Sequence, residues 1–265
     1  MSDKSIRALR KLAAPLRVAP GTKVALPRGF DPTDHADLSK KSAADVLTDG
    51  VEALAEFQTK LAAQAVDAVL VVLQGIDASG KDSTIKHVMS GLNPQGVSVT
   101  SFKVPGPEEL DHDYLWRYAR ALPRRGVIGI FNRSHYEEVL VVRVHPEVLE
   151  RERLPREDHA SSGKLWGRRF RQINEWERYL VENGVHVVKL FLNLSRQEQR
   201  RRFLERIDHP EKSWKFSAAD VAERKYWNDY QRAFSAMLTH TSTEWAPWHV
   251  IPADHEWFAR LAAAA

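Results

Sequence analysis

The sequence predicts an α/β fold, a parallel β-sheet covered by helices on both faces. Three observations point there. Ala68-Val69-Leu70-Val71-Val72-Leu73 and Val127-Ile128-Gly129-Ile130-Phe131 are short, near-continuous apolar runs, as in strands buried on both sides. Segments of helical periodicity alternate with such runs. A glycine-rich turn follows the first run directly, where a parallel sheet would place a ligand. At 265 residues, with 43% apolar and 28% charged side chains, the chain suits one large globular domain.

Taken in order, residues 1 to 40 read as an irregular N-terminal arm, because Pro15, Pro20, Gly21, Pro27, Gly29 and Pro32 interrupt any long element. Residues 41 to 265 read as a single domain. Its first helix spans 42 to 64, with Val46, Leu47, Val51, Leu54, Phe57 and Leu61 on one stripe. The strand at 68 to 73 feeds a helix at 83 to 89. A strand is expected at 97 to 104 after the Asn93-Pro94 turn, then a helix over 108 to 122 that stops before Pro123. The run at 127 to 131 is the next strand. A long helix at 163 to 183 stops at Asn183-Gly184, and a strand at 185 to 194 and a helix at 196 to 207 follow. Beyond His209-Pro210 come a helix at 218 to 238, a strand at 248 to 251 and a terminal helix at 256 to 261.

Composition excludes several classes of function. The sequence has no cysteine, which rules out disulfides and thiol catalysis and fits a cytoplasmic setting. No apolar stretch is long enough to span a membrane. The 39 basic and 35 acidic residues nearly cancel, so no global field favours nucleic acid. The charge is uneven, however. Residues 196 to 215 carry Arg196, Arg200, Arg201, Arg202, Arg206, Lys212 and Lys215. That cluster reads either as a solvated helix face with i,i+4 pairs or as a basic rim over an anion site.

Gly75-Ile76-Asp77-Ala78-Ser79-Gly80-Lys81-Asp82 matches the G-x-x-x-x-G-K spacing of a phosphate cradle. Glycines let backbone N–H groups close on an anion, and the helix opening at Lys81 and Ser83 adds partial positive charge. Lys81 is placed to reach a transferred phosphoryl group. Asp82 stands where Ser or Thr normally binds magnesium, so Asp77 is expected to hold Mg²⁺ in its stead. A second constellation, Phe131-Asn132-Arg133-Ser134-His135-Tyr136-Glu137-Glu138, falls at the carboxyl end of the next strand. Arg133 is expected to neutralise charge on the transferring group. Asn132 and Glu137 are further candidates for metal or acceptor contact, Glu137 alternatively serving the helix dipole. His135 and His145 lack metal-ligand spacing and read as structural.

These motifs resemble the polyphosphate kinase 2 family. The likeness extends to the segments 108–117, 214–217, 223–230, 242–248 and 251–254, and covers roughly residues 25 to 260. It implies a P-loop kinase-like fold, similar to thymidylate kinases, with a helical lid at about 206 to 220. It also implies Mg²⁺-dependent, reversible transfer of the terminal phosphoryl group of inorganic polyphosphate to AMP or ADP, and a homo-oligomer. Adenine is the implied base, with guanine as the alternative. On that basis Arg206, Lys212 and Lys215 become polyphosphate ligands beside the cradle residues Gly75, Ala78, Ser79, Gly80, Asp82 and Ser83, and Lys103 becomes a candidate on the nucleotide side. Asn132 and His135, where many members carry Asp and Trp, resemble the class III subgroup, which accepts both mono- and diphosphates. Two other readings stay open: an ATP-dependent nucleoside monophosphate kinase, and a non-catalytic polyanion-binding protein.

Overall fold

The computed structural model describes residues 3–152, 154, 162–209 and 218–265. Five strands form one parallel sheet: β1 (Ala68–Gly75), β2 (Val97–Ser101), β3 (Ile128–Asn132), β4 (Val185–Asn193) and β5 (Trp248–Pro252). Their spatial order is β2-β3-β1-β4-β5, with β1 paired to β3 on one side and to β4 on the other. The apolar runs are β-branched and lack polar alternation because both faces of the sheet are covered. Val69, Val71, Ile128 and Ile130 pack toward α2 (Lys40–Gln64) and α3 (Lys81–Val88). Leu70, Val72, Phe131 and Phe191 join the large core with Phe170, Ile173 and Phe234 from helices of the opposite layer.

The N-terminal segment departs from the irregular arm expected of it. It opens with a helix, α1 (Asp3–Ala13), whose Leu9 is buried against α2 and the C-terminal helix. Prolines punctuate only what comes after. From there the chain runs along the sheet edge: the Val18 N–H donates to the Trp248 carbonyl at 2.8 Å, and the Val24 N–H to Thr239 Oγ1 at 2.9 Å. Backbone and side-chain oxygens on distant elements thus satisfy its N–H groups, which a local reading cannot supply.

Two expected helices are broken. The segment at 108 to 122 is split into α4 (Pro107–Leu110) and α5 (Trp116–Arg120). Asp113 is the cause: its carboxylate accepts from the Leu115 N–H at 2.9 Å, offering the backbone an alternative to helix. β2 ends at Ser101, short of Val104, because Phe102 turns into the core and meets the Phe131 ring edge-on at 4.9 Å. Beyond β3 lie α6 (Val141–Val144), α7 (Pro146–Leu149) and the long α8 (Ser162–Glu182). After β4 come α9 (Arg196–Asp208), α10 (Ala218–Glu223), α11 (Trp227–Thr241) and α12 (Glu256–Ala264). A 3₁₀ turn, Arg224–Tyr226, divides α10 from α11 where one continuous helix was expected. Among the described residues no helix is long and apolar enough to cross a membrane.

Gly75 is required by space. A Cβ there would lie 2.6 Å from Ser79 Oγ and 2.9 Å from the Leu192 carbonyl oxygen of β4. The carbonyl belongs to a paired strand and cannot retreat. Gly75→Ala is therefore expected to cost about 1–3 kcal/mol of unfolding free energy, read from the midpoint of denaturant unfolding.

Candidate active site

The register of the sheet assembles the site. Leu73 lies opposite Asn132 and Gly75 opposite Leu192, so the loop after β1 and the turn after β3 emerge at the same carboxyl edge. Ala78 (φ 63°) and Gly80 (φ 98°) take left-handed backbone, and Gly80 caps α3. Four consecutive loop carbonyls are occupied. Lys81 Nζ donates to Gly75 O at 2.7 Å and to Ile76 O at 3.2 Å. From α9, Gln199 Nε2 donates to Asp77 O and Arg202 to Ala78 O, each at 3.0 Å. With the carbonyls held this way, an anion would be met by loop N–H groups, that of Ser79 apart, which donates to Ile76 O at 3.1 Å.

Gln199 and Arg202 belong to neither motif. In the sequence Arg202 is one member of a charge cluster, and Gln199 carries no signal. Both are buried, and Arg202 is further held by Glu198 at 2.8 Å. They are residues of a brace, and only the packing of α9 on the loop reveals them.

Arg133 sits at φ 65°, its N–H donating to Leu73 O at 3.2 Å. Its guanidinium joins the two motifs, donating to Asp77 Oδ1 at 2.5 Å and to Glu137 Oε2 at 3.2 Å. Glu137 and then Asp77 hold it firmly cationic against the opposing effect of burial. Asp77 is thus paired with Arg133 in the protein alone, and an incoming phosphate or cation must compete for that pair. Asn132 Nδ2 donates to Asp82 Oδ1 at 2.6 Å, which leaves the Asn132 carbonyl oxygen for a ligand. Lys103 is exposed just past the end of β2, with its backbone carbonyl held by Arg117 at 2.9 Å.

Other expected ligands are placed differently. Ser83 is not brought to the cradle: its hydroxyl accepts from Arg260 of α12 at 2.8 Å. Ser79 Oγ is buried, without a hydrogen-bond partner among the described residues. Arg206 lies 3.9 Å from Asp220 Oδ2 of α10. Lys212 and Lys215 lie outside the described residues. Asp220 is a further acid facing the site; burial foremost, and then the nearby charge of Asp77, push its carboxyl upward. Two cavities of about 530 and 510 Å³ open on other helix faces, and neither is lined by Asp77, Lys81 or Arg133.

The donor set suits magnesium. Asp77, Glu137 and Asn132 offer hard oxygen ligands beside a phosphate cradle. Mg²⁺ prefers one or two carboxylates, with water and phosphate oxygens completing its shell.

Strand, phosphate loop, brace and a second basic motif at one sheet edge define a P-loop kinase-like protein built for phosphoryl transfer. Comparison with known proteins gives the family. The family model described as Polyphosphate kinase 2 matches residues 37–265, and the chain belongs to that family. It is 50% identical over 245 residues to the ADP-polyphosphate phosphotransferase of Rhodopseudomonas palustris, covering 92% of this chain and 84% of that protein. It is 45% identical to the AMP/ADP-polyphosphate phosphotransferase of Meiothermus ruber, covering 91% and 86%. The crystal structure of Polyphosphate Kinase 2 from Arthrobacter aurescens TC1 superposes with a TM-score of 0.86 at 39% identity, over 96% of this chain and 86% of that one.

Burial lowers the Lys81 pKa from 10.5 to about 8, with the Arg133 charge adding to the effect. Between those values the unfolded chain holds a proton that the folded protein lacks, so this group makes stability rise with pH across the window. For the reaction the sign is opposite, since the uncharged amine attracts no phosphate. The kcat/KM for polyphosphate, which reports the free enzyme, is expected to fall as pH passes about 8. In Lys81→Arg, where the charge cannot be lost, that limb should vanish from the remaining activity. An unchanged limb would assign it to another group.

Proposed function

We propose that this protein transfers the terminal phosphoryl group of inorganic polyphosphate to AMP and ADP, reversibly and with Mg²⁺. The observation that carries the reading is Arg133 joined to Asp77 across the two motifs, with Lys81 in the adjoining loop. Family membership supports polyphosphate as donor. Two of its relatives, named for ADP and for AMP/ADP, support these acceptors. Asn132 and His135 support the class III assignment by their resemblance to that subgroup.

In this reading the terminal phosphate of the donor occupies the loop of Gly75 to Lys81, and the acceptor's terminal phosphate lies in line with it. The attacking oxygen is already ionised near neutral pH, so no strong general base is needed. Catalysis rests on positioning and on preorganised positive charge. Lys81 leaves its two carbonyl partners to meet the donor, and Arg133 turns from Asp77 toward the transferring group. Asp77, Asn132 and Glu137 would hold Mg²⁺, which when bound neutralises charge across the reacting phosphates. Residues 206 to 220 serve as the lid, whose closure excludes water. Arg206, Lys212 and Lys215 bind the polyphosphate chain and Lys103 the nucleotide. A homo-oligomer in the cytoplasm, acting on adenine or guanine nucleotides, completes the reading.

The first test is ATP formation from ADP, polyphosphate and Mg²⁺, with ADP formation from AMP run beside it. Both reactions are expected. ATP from ADP alone would keep the donor and remove the class III assignment. Phosphorylation of AMP only when ATP is added would establish a nucleoside monophosphate kinase instead. Asp77→Asn and Lys81→Ala should each lose at least about 10²-fold in kcat, comparable to removing a preorganised charge-stabilising donor, while thermal unfolding stays cooperative.

A further inference from the structure

Directly beneath Arg133 and Glu137 lies a set of buried charges that the reaction itself does not use. Glu177 of α8 and Lys189 of β4 are both fully buried, with Lys189 Nζ donating to Glu177 Oε2 at 2.7 Å. The other carboxylate oxygen, Oε1, accepts from the Tyr136 hydroxyl at 2.7 Å and faces His135 Nε2 at 3.1 Å. Lys189 also donates to the Tyr136 hydroxyl at 2.9 Å and to the Thr241 carbonyl at 2.6 Å. The Tyr136 hydroxyl therefore donates to one member of the ion pair and accepts from the other. Burial keeps the His135 ring neutral, so Nε2 carries the proton given to Glu177. Its Nδ1 is then a buried acceptor with no partner among the described residues.

A network of this kind is a costly way to gain stability. Desolvating two charges offsets much of their attraction, and well-packed apolar residues often do as well. The orphaned His135 nitrogen adds the desolvation cost of an unpaired acceptor. What the network does supply is a fixed direction. His135 and Tyr136 open the 3₁₀ turn His135–Val139, which carries Glu137. Arg133, two residues earlier, holds left-handed backbone. Ser134 between them is pinned separately, its hydroxyl accepting from Gln74 Nε2 at 3.0 Å. Every neighbour of Arg133 and Glu137 in this turn is thus tied to the core, while those two side chains remain at the site.

We infer that Glu177, through Tyr136 and His135, is a positioning residue for phosphoryl transfer: it fixes the 3₁₀ turn so that Arg133 and Glu137 present their charges to the transferring group. This rests on the proposed role of Arg133. It predicts a loss in turnover rather than in binding, because the residues that anchor the polyphosphate loop are untouched.

The test replaces the network by apolar residues of similar volume, in E177L/Y136F/K189M, and compares it with Tyr136→Phe, which removes a single hydroxyl. The triple variant leaves His135 Nε2 unpaired as well and is expected to unfold cooperatively but below the parental temperature. Its kcat should fall about tenfold or more, as for a slightly misplaced catalytic group, with the KM values for ADP and polyphosphate within about twofold. Tyr136→Phe should show a smaller loss with the same split, and it carries the test should the triple variant not fold. In an Arg133→Ala background the same substitutions should cause little further loss, since coupled residues are not additive. Parental kcat in the folded variants, or a loss that multiplies independently of Arg133→Ala, would overturn the inference while leaving Arg133's role intact. An Arg133→Ala enzyme with parental turnover would overturn both.

Discussion

β1 is hydrogen-bonded along both edges, from Val69 opposite Ile128 to Leu73 opposite Asn132 on one side, and as far as Gly75 opposite Leu192 on the other. Most of what the site can do depends on this double pairing. Parallel strands in register end together, so the loop after β1 and the turn after β3 reach the same edge without any contact having to draw them there. A one-residue slip would reverse the faces of the strand and separate Asp77 from Arg133. The absence of a Cβ at Gly75 belongs to the same constraint, because β4 passes too close to admit one.

Upon that frame, the site is arranged so that positive charge is held in readiness. Lys81, Gln199 and Arg202 occupy the loop carbonyls, and Arg133 is shared between Asp77 and Glu137. Lys81 and Arg133 are already partnered by protein oxygens, which fixes the direction of both cations before any ligand arrives. The acids keep the cations oriented in the meantime. Asp220 and Arg206, carried by the two helices that flank residues 210–217, bring a further pair of opposite charges to the rim. A polyanionic donor suits such a surface, since each phosphate it brings can replace a carboxylate already there.

Membership of the polyphosphate kinase 2 family and the arrangement at the sheet edge agree on the class of chemistry. They reach it by different routes: the family by similarity along the chain, the edge by the register of strands. Asn132 shows why both are needed. Its place in the motif implies a role at the metal or nucleotide, while its contact with Asp82 shows that half of its amide is already engaged.

The apolar runs, the glycine spacing and Lys81 could be read directly from the sequence, because each depends on residues adjacent in the chain: a buried strand has its composition, and a tight turn has its glycines. Asp77, Arg133 and Glu137 were legible for the same reason, as parts of short motifs. The helix of the N-terminal segment and the break at Asp113 were not, since one depends on burial of Leu9 against distant helices and the other on a single side chain competing with the backbone. Nor did any local pattern mark Gln199, Asp220, Glu177 or Lys189, and Arg202 stood out only as one charge in a basic cluster. Their partners lie far away in sequence, and a buried polar side chain gains its meaning only from what desolvates it and what it is hydrogen-bonded to. The sequence by itself determined the five strands, most of the long helices and the residue types of the two motifs. Tertiary packing decided how those motifs face each other and what holds them so.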